Sequence, residues 1–340
     1  MNIDERYMQR CLQLAAMADG HTSPNPMVGA VVVCNGKIIG EGYHRQCGGP
    51  HAEVNAIASV RNKSLLRQST IYVSLEPCSH HGKTPPCCDL IIASGIPRVV
   101  VGCLDPFPQV SGRGVKRLQE NGIEVITNVL QEECWWLNRK FMTYHGKGRP
   151  YVTLKWAQSS DHYIDRVRAP HESPTLFSTT TTRIWAHKLR ATNDAIMVGT
   201  NTVITDNPSL TTRYWSGKNP IRITIDRHHR IPAQAAILDG TTPTIVIGKD
   251  YISDPLSSCS GYTPQDILSY LSSQNIHSII IEGGSELLQS FIDSNLWDEA
   301  HIETTAITLH KGIAAPCIKG KEMQKLTHCH NHYTSILINC

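Results

Sequence analysis

The chain has 340 residues, 40% of them apolar and 18% charged, which exceeds the usual reach of one hydrophobic core and predicts two folded domains without a long disordered tract. A formal charge of +3 with scattered Lys and Arg offers no footprint for a polyanion, and no stretch approaches the ~20 apolar residues that cross a bilayer. Neither nucleic acid nor membrane is expected as a partner. The N-terminal segment mixes charged with apolar residues, so the expectation is a cytoplasmic protein whose twelve cysteines are reduced thiols or metal ligands.

In chain order, MNIDERYMQRCLQLAAMADG reads as an amphipathic helix. Two apolar runs either side of Asn35 and Gly36 predict a hairpin, because both residues accept the positive φ of a primed turn. AEVNAIASV predicts a short helix, TIYVSLEP a strand, Cys87 to Ser94 a helix, RVVVGCLD a strand, VKRLQENG a helix and IEVIT a strand. A hairpin followed by such alternation implies a mixed sheet flanked by helices. From Asn138 to Pro150 the stretch NRKFMTYHGKGRP is basic and weakly patterned, so the boundary is placed near Gly146, giving domains 1–146 and 147–340. Beyond it YVTLKWAQ, DAIMVGTN, IRITIDR, TIVIGK, SIIIEGG and AHIETTAI are strand-like, while TTTRIWAHKLRA, PQDILSYLSS and SELLQSFIDS have helical periods, so a second α/β domain is expected. Thr179 to Thr182 suit a helix start, where Thr caps free backbone donors.

The chemistry concentrates in the first domain. His51-Ala52-Glu53 stands where a Gly-rich loop meets a helix, and Cys78 and Cys87 follow, the latter after two prolines. One His and two Cys are the three ligands that a catalytic zinc takes while keeping a position open for water. Glu53 is placed to move protons from that water to a leaving amine, the arrangement of the zinc nucleobase deaminases. Eight residues, SHHGKTPP, separate the two cysteines where two are usual. Cys88 is a rival ligand; Cys87 is preferred because the prolines fix the loop that delivers it. His80 and His81 are read as loop residues, and His328, His330 and His332 of the closing HCHNH as one face of a strand rather than a metal tract.

PNPMVGAVVV, HAEVNAI, LEPCSHHGKTPPC and DPFPQVSGRG, continued by KLRATNDAIMVGTNTVITDNPSLTTR, NPIRITIDR and IIIEGGSELL, closely resemble the bifunctional riboflavin-biosynthesis deaminase-reductase family, usually called RibD. The resemblance implies a cytidine-deaminase-like α/β/α domain followed by a dihydrofolate-reductase-like α/β domain. It implies hydrolytic deamination of 2,5-diamino-6-(5-phosphoribosylamino)pyrimidin-4(3H)-one, then NADPH reduction of the ribosyl to the ribityl group, with one zinc per chain and a homo-oligomer, dimer or tetramer. The family's zinc ligands correspond to His51, Cys78 and Cys87, its proton shuttle to Glu53 and a pyrimidine-facing loop residue to Asn25.

In the second domain no G-x-G-x-x-G occurs; instead Gly283 and Gly284 admit close backbone approach, and the helix start behind them suits a phosphate. Family correspondence puts the cofactor at Ala157, Leu176, Thr202, Asp206, Gly284, Ser285, Glu286 and Leu287, and the sugar phosphate at Ser173, Arg190, Leu210 and Arg213, with Glu282 nearby. Lys155 is expected to orient the ribose or polarise the carbon that accepts hydride. The chain departs from the family's A-S-L-D-G-K at Gln158 to Tyr163, where His162 replaces a turn glycine, and RVRAPHESPTLF aligns poorly with G-x-S-x-W-I-T. The rival reading is a zinc nucleoside or tRNA deaminase with an inactive or differently specific reductase-like domain.

Overall fold

In the computed structural model the chain is described over residues 1–79, 85–107, 111–169, 172–248, 262–329 and 331–339, and it forms two compact units, Met1–Gly148 and Arg149–Cys340. Among the described residues no helix is long and apolar enough to cross a membrane.

The first unit runs α1 (Ile3–Ala16), β1 (Gly29–Cys34), β2 (Lys37–Tyr43), α2 (Ala52–Ser59), β3 (Ser69–Leu75), α3 (Cys87–Ala93), β4 (Arg98–Cys103), α4 (Arg113–Glu120), β5 (Glu124–Ile126), α5 (Gln131–Leu137) and α6 (Arg139–Lys147). The hairpin closes as its sequence requires: Cys34 pairs with Lys37, and Asn35 and Gly36 take φ of 50° and 73°. The sheet order is β2-β1-β3-β4-β5, with β1 antiparallel to both neighbours and the last three strands parallel. Every residue of β1 is buried, because successive side chains enter two cores. Ala30 and Val32 meet α2, α3 and α4 through Ala56, Ile91 and Leu118. Val31 and Val33 meet α1, α5 and α6 through Met8, Cys134 and Met142. Three layers result.

The stretch expected to be a weakly patterned boundary is helical. Phe141, Met142 and His145 in α6 fall on one side of the helix, where Met142 is buried and Phe141 packs on the same core, while Arg139, Lys140 and Lys147 carry the charge. Basic residues masked this short apolar stripe in the sequence. Gly148, at φ 66°, ends the helix in the left-handed conformation that glycine adopts without strain.

The second unit contains β6 (Tyr151–Gln158), β7 (Tyr163–Asp165), α7 (Thr180–Ala191), β8 (Ala195–Val198), α8 (Thr200–Asp206), β9 (Ile221–Ile225), β10 (Thr244–Ile247), α9 (Pro264–Ser273), β11 (Ser278–Glu282), α10 (Ser285–Asp293), β12 (Glu299–Thr304), β13 (Ile313–Ala314), β14 (Lys321–Cys329) and β15 (His332–Ile338). Its main sheet has the order β10-β9-β8-β11-β6-β12-β15-β14; the strands are parallel through β12, and the closing hairpin is antiparallel. One face packs on α9 and α10 through Leu268, Leu271, Leu288 and Phe291. The other packs on α8 through Val203 and on α7 through Leu189. Thr179 caps α7 with Thr182 as its reciprocal partner.

Two departures from expectation concern histidine. His162, where the family places a turn glycine, adopts φ 62° itself, and the turn is held by Asp161 Oδ1 and Oδ2 accepting from Leu309 N at 3.0 Å and His310 N at 2.7 Å. A non-glycine residue there costs about 1 kcal/mol. The closing HCHNH is not one strand face: the chain turns at Asn331, φ 55°, putting His328 in β14 and His332 in β15 with ring centroids 5.5 Å apart. His330 lies outside the described residues.

Candidate functional site

Gly40 and Gly42 let α2 lie directly on β2; a Cβ at Gly42 would stand 2.3 Å from Ala56 N. The start of α2 is thereby fixed, with His51 as its N-cap and Glu53 in its first turn. Cys78 follows the end of β3 and Cys87 opens α3 behind Pro86. His51 Nδ1 is 3.6 Å from Cys78 Sγ and 3.3 Å from Cys87 Sγ, and the three donor atoms lie within 4.8 Å of one another. Cys88 is turned away: its thiol donates to Pro77 O at 3.3 Å and Gly114 O at 3.6 Å, and burial pushes it up to about 12. His80 and His81 lie outside the described residues.

The electrostatics of the cluster are strongly coupled. Hydrogen bonding from Cys87 lowers the Cys78 thiol to about 4, while the same contact, followed by burial, drives Cys87 up. Its hydrogen bond with Cys78 raises His51. Glu53 is 4% exposed, and burial, followed by the Cys78 charge, pushes its carboxyl up to about 7. A carboxyl poised near neutrality beside three metal donors suits proton transfer in either direction.

His51, Cys78 and Glu53 open on a cavity of about 300 Å³. Asn25 lines it and is oriented by a chain of hydrogen bonds: His44 Nδ1 meets Pro50 O at 3.0 Å, which leaves Nε2 to accept from Asn25 Nδ2 at 3.1 Å. Burial lowers the His44 pKa and so favours the neutral ring. Asn138 ties the same loop to the α5–α6 junction, its amide bonding Met27 N and Met27 O, both at 2.8 Å. Phe107, Phe141 and His145 form an aromatic wall, with His145 centroids 5.5 Å from Phe107 and 4.4 Å from Phe141. Glu76 anchors the Phe107 segment: Oε1 accepts from Gly114 N and Val115 N at 2.9 and 3.2 Å, and Oε2 from Gly112 N and Asp105 N at 3.0 and 3.3 Å. His44, Glu76, Phe107, Asn138, Phe141 and His145 were not singled out from sequence. LEPC and DPFPQVSGRG, carried by the resemblance, include Glu76 and Phe107, and the boundary stretch NRKFMTYHGKGRP includes Asn138, Phe141 and His145 without pointing to a site role.

In the second unit the expected residues fall into two groups. Thr202 in α8 lies beside the glycine turn before α10, where Cβ atoms at Gly283 and Gly284 would stand 3.4 and 3.5 Å from its Oγ1. Gly283 and Gly284 take φ of 71° and 75°, and Gly284, Ser285, Glu286 and Leu287 form the start of α10. Asp206 pairs with Arg168, which also bonds Asp165 at 2.7 Å, so Arg168, near the start of the divergent stretch, is tied to the end of α8. Ser173 and Leu176 on that segment are exposed, and Ala157 is half-buried in β6.

The second group surrounds Arg190. Its guanidinium grips Glu282 through Nε at 3.1 Å and Nη2 at 2.7 Å, and Nη1 donates to Thr211 O at 3.3 Å. The fork expected to face a phosphate is therefore turned to a carboxylate. Arg213 Nη1 donates to Thr211 Oγ1 at 2.8 Å and its backbone N to His187 Nδ1 at 2.8 Å. Leu210, with φ 53°, puts its side chain into the core with Val198 and Ile237, leaving only backbone for a ligand. Lys155 stands directly opposite Glu282 in β11 and His301 in β12. His187 is 5% exposed and pushed down to about 4 by burial first, then by Arg190 and Arg213.

A His/Cys/Cys donor cluster beside a buried carboxyl on a three-layer α/β/α unit, with a second α/β unit carrying a glycine turn at a helix start, defines the class: a zinc deaminase domain joined to a reductase domain. Residues 1–103 match the cytidine and deoxycytidylate deaminase zinc-binding region, and residues 150–336 match the RibD C-terminal domain. The riboflavin biosynthesis protein RibD of Aquifex aeolicus is 43% identical over 307 residues, 87% of this chain and 85% of that protein. That of Bacillus amyloliquefaciens is 37% identical over 351 residues, 98% of this chain and 93% of that protein. The crystal structure of a diaminohydroxyphosphoribosylaminopyrimidine deaminase/5-amino-6-(5-phosphoribosylamino)uracil reductase from Thermotoga maritima is 37% identical with a TM-score of 0.88, covering 99% of each chain.

The chain belongs to the RibD family of riboflavin biosynthesis proteins. It is a bifunctional enzyme with a zinc-dependent, cytidine-deaminase-like domain and an NADPH-using, dihydrofolate-reductase-like domain. The nucleoside or tRNA deaminase reading is not favoured, since the relatives match across both domains.

Proposed function

We propose that the first unit removes the amino group of 2,5-diamino-6-(5-phosphoribosylamino)pyrimidin-4(3H)-one, giving 5-amino-6-(5-phosphoribosylamino)uracil, and that the second reduces the ribosyl group of that product to ribityl. The observation that carries the first step is the convergence of His51 Nδ1, Cys78 Sγ and Cys87 Sγ within 4.8 Å, on the cavity that Glu53 lines. One borderline nitrogen and two soft sulfurs are a donor set that fits zinc, and the low pKa of Cys78 supplies the anionic ligand. His51, Cys78 and Cys87 would hold a zinc whose Lewis acidity would lower the pKa of water towards neutrality.

Glu53 takes a proton from water as its oxygen adds to the amidine carbon, then returns a proton to the amine, which leaves as ammonia. Asn25, held by His44, is proposed to orient the pyrimidine. In the second unit Ala157, Leu176, Thr202, Asp206, Gly284, Ser285, Glu286 and Leu287 are proposed to hold NADPH, which supplies the hydride. Ser173, Arg213 and the backbone of Leu210 are proposed to hold the sugar phosphate; Arg190 fixes Glu282 beside it, and Lys155 orients the ribosyl group. The protein is further proposed to be cytoplasmic and to work as a dimer or tetramer, which sedimentation velocity reads directly.

The test follows ammonia release and then NADPH oxidation from the diamino substrate. Glu53→Gln should keep its zinc and its NADPH oxidation on the deaminated substrate, yet lose ammonia release by roughly 10²–10⁴-fold. Ammonia release at the wild-type rate would refute the shuttle.

A further inference from the structure

Glu303 and the histidines of the closing motif have no part in the reaction as described so far. Along β12, Ala300 and Ile302 enter the hydrophobic core, so Glu299, His301 and Glu303 share the opposite face. Lys155 lies on the matching face of β6, because Leu154 and Trp156 on either side of it belong to that same core. The parallel register pairs Lys155 with Glu282 on one side and with His301 on the other, and Glu303 pairs with Ala157, diagonally across from Lys155. Diagonal partners are within reach of long side chains.

Glu303 is 2% exposed, yet its oxygens are engaged: Ser178 Oγ donates to Oε2 at 2.7 Å, and His332 Nε2 bonds Oε1 at 2.8 Å. Glu282 is likewise taken up by the Arg190 fork. Both carboxylates therefore reach Lys155 through charge. Burial pushes each of them up, but neighbouring cations reverse the shift: Lys155 in the case of Glu303, Arg190 and then Lys155 in that of Glu282. A buried ion is a poor route to stability, because desolvation offsets much of what its charge partners return.

We propose that Glu303, held by Ser178 and His332, is a positioning residue of the reductase site: with Glu282 it brackets Lys155 and fixes the ammonium that meets the ribosyl group. The proposal rests on the reductase reading given above. Ser178 comes from the segment between Ser173 and α7, so the same hydrogen bond ties that divergent stretch to β12. The role assigns a function to one end of the HCHNH motif without a metal.

The full-length wild type, Glu303→Gln, Lys155→Met and the double variant are compared in single-turnover NADPH oxidation and in binding of the deaminated substrate. Glu303→Gln should slow NADPH oxidation about tenfold, within the usual coupling between members of one charge network, with KM for NADPH and ammonia release unchanged. In the Lys155→Met background the same change should cost less than about twofold in rate and in substrate affinity. Should Glu303→Gln lose NADPH binding through misfolding, Ser178→Ala and Glu303→Asp replace it, with a smaller loss and the same non-additivity expected. A Glu303→Gln rate within twofold of wild type, or an undiminished loss in the Lys155→Met background, would overturn the proposal. A wild type that binds NADPH and never oxidises it overturns the reductase reading first, a separate result.

Discussion

Glu76→Gln removes one charge and one acceptor at a place where four backbone N–H groups converge. Two of them meet Oε1 and two meet Oε2, at 2.9 to 3.3 Å. Whichever way the amide turns, its NH₂ confronts two donors, and the remaining oxygen is no longer ionised. Hydrogen bonds to a charged acceptor contribute roughly 1.5–3 kcal/mol each, so losing two, with partial relaxation, should cost about 3 kcal/mol. The cost is local, at Asp105, Gly112, Gly114 and Val115, with Asp105 two residues before the Phe107 that lines the cavity. The assay is amide hydrogen exchange in the full chain with zinc bound: Gly112, Gly114 and Val115 should exchange about two orders of magnitude faster, because each 1.4 kcal/mol is tenfold. KM for the deaminase substrate should rise with zinc content unchanged. Exchange at these amides within threefold of wild type would show that the carboxylate does not hold the loop.

Three further outcomes follow from the geometry. Cys87→Ala should abolish stoichiometric zinc binding and ammonia release, whereas Cys88→Ala should keep both and lose only about 1–2 kcal/mol of stability, with metal analysis and thermal unfolding as the readouts. Asn138→Ala strips Met27 of both buried partners, which should destabilise the Asn25 loop by about 2 kcal/mol and raise the deaminase KM more than it lowers kcat. His187 has a folded pKa of about 4 against an ordinary 6.5, so its stabilising contribution is fully present above pH 6.5 and is lost as the pH falls through 4. His187→Gln, which can still accept from Arg213 N, should flatten that acid limb in unfolding of the second unit, followed by NADPH binding; an unchanged limb would assign the acid lability to another group.

What the sequence made legible was whatever depends on local chemistry. Asn35-Gly36 specifies its turn, Thr179 its cap, and the His51, Cys78 and Cys87 donors their metal, because each rests on residue types at short or characteristic spacing. The α6 helix was lost because Arg139, Lys140 and Lys147 outweigh its short apolar stripe. Glu76 and Asn138 were invisible for another reason: their partners are backbone groups 29 to 39 and 111 residues away, and backbone has no sequence signature. The closing histidines show the limit of periodicity, since alternation cannot reveal a turn in the middle of a motif.

The charge balance of the second site bears on what it is built to receive. Lys155, Arg190 and Arg213 act on His187, and Glu282 and Glu303 are the carboxylates coupled to the same lysine. Arg190 is satisfied by Glu282, and Lys155 is shared between two carboxylates, so Arg213 has no acidic partner among these groups; its side chain is tethered by Ser209 and Thr211 and its backbone N by the His187 ring. His187 stays neutral there, its Nδ1 occupied by backbone N–H groups and its remaining ring nitrogen a donor rather than a second charge. An anion arriving beside Arg213 would therefore meet donors already oriented and would displace no internal ion pair. On the proposed reading, that arrangement would suit a substrate whose phosphate is an affinity handle while Lys155, beside Glu282, orients the ribosyl group.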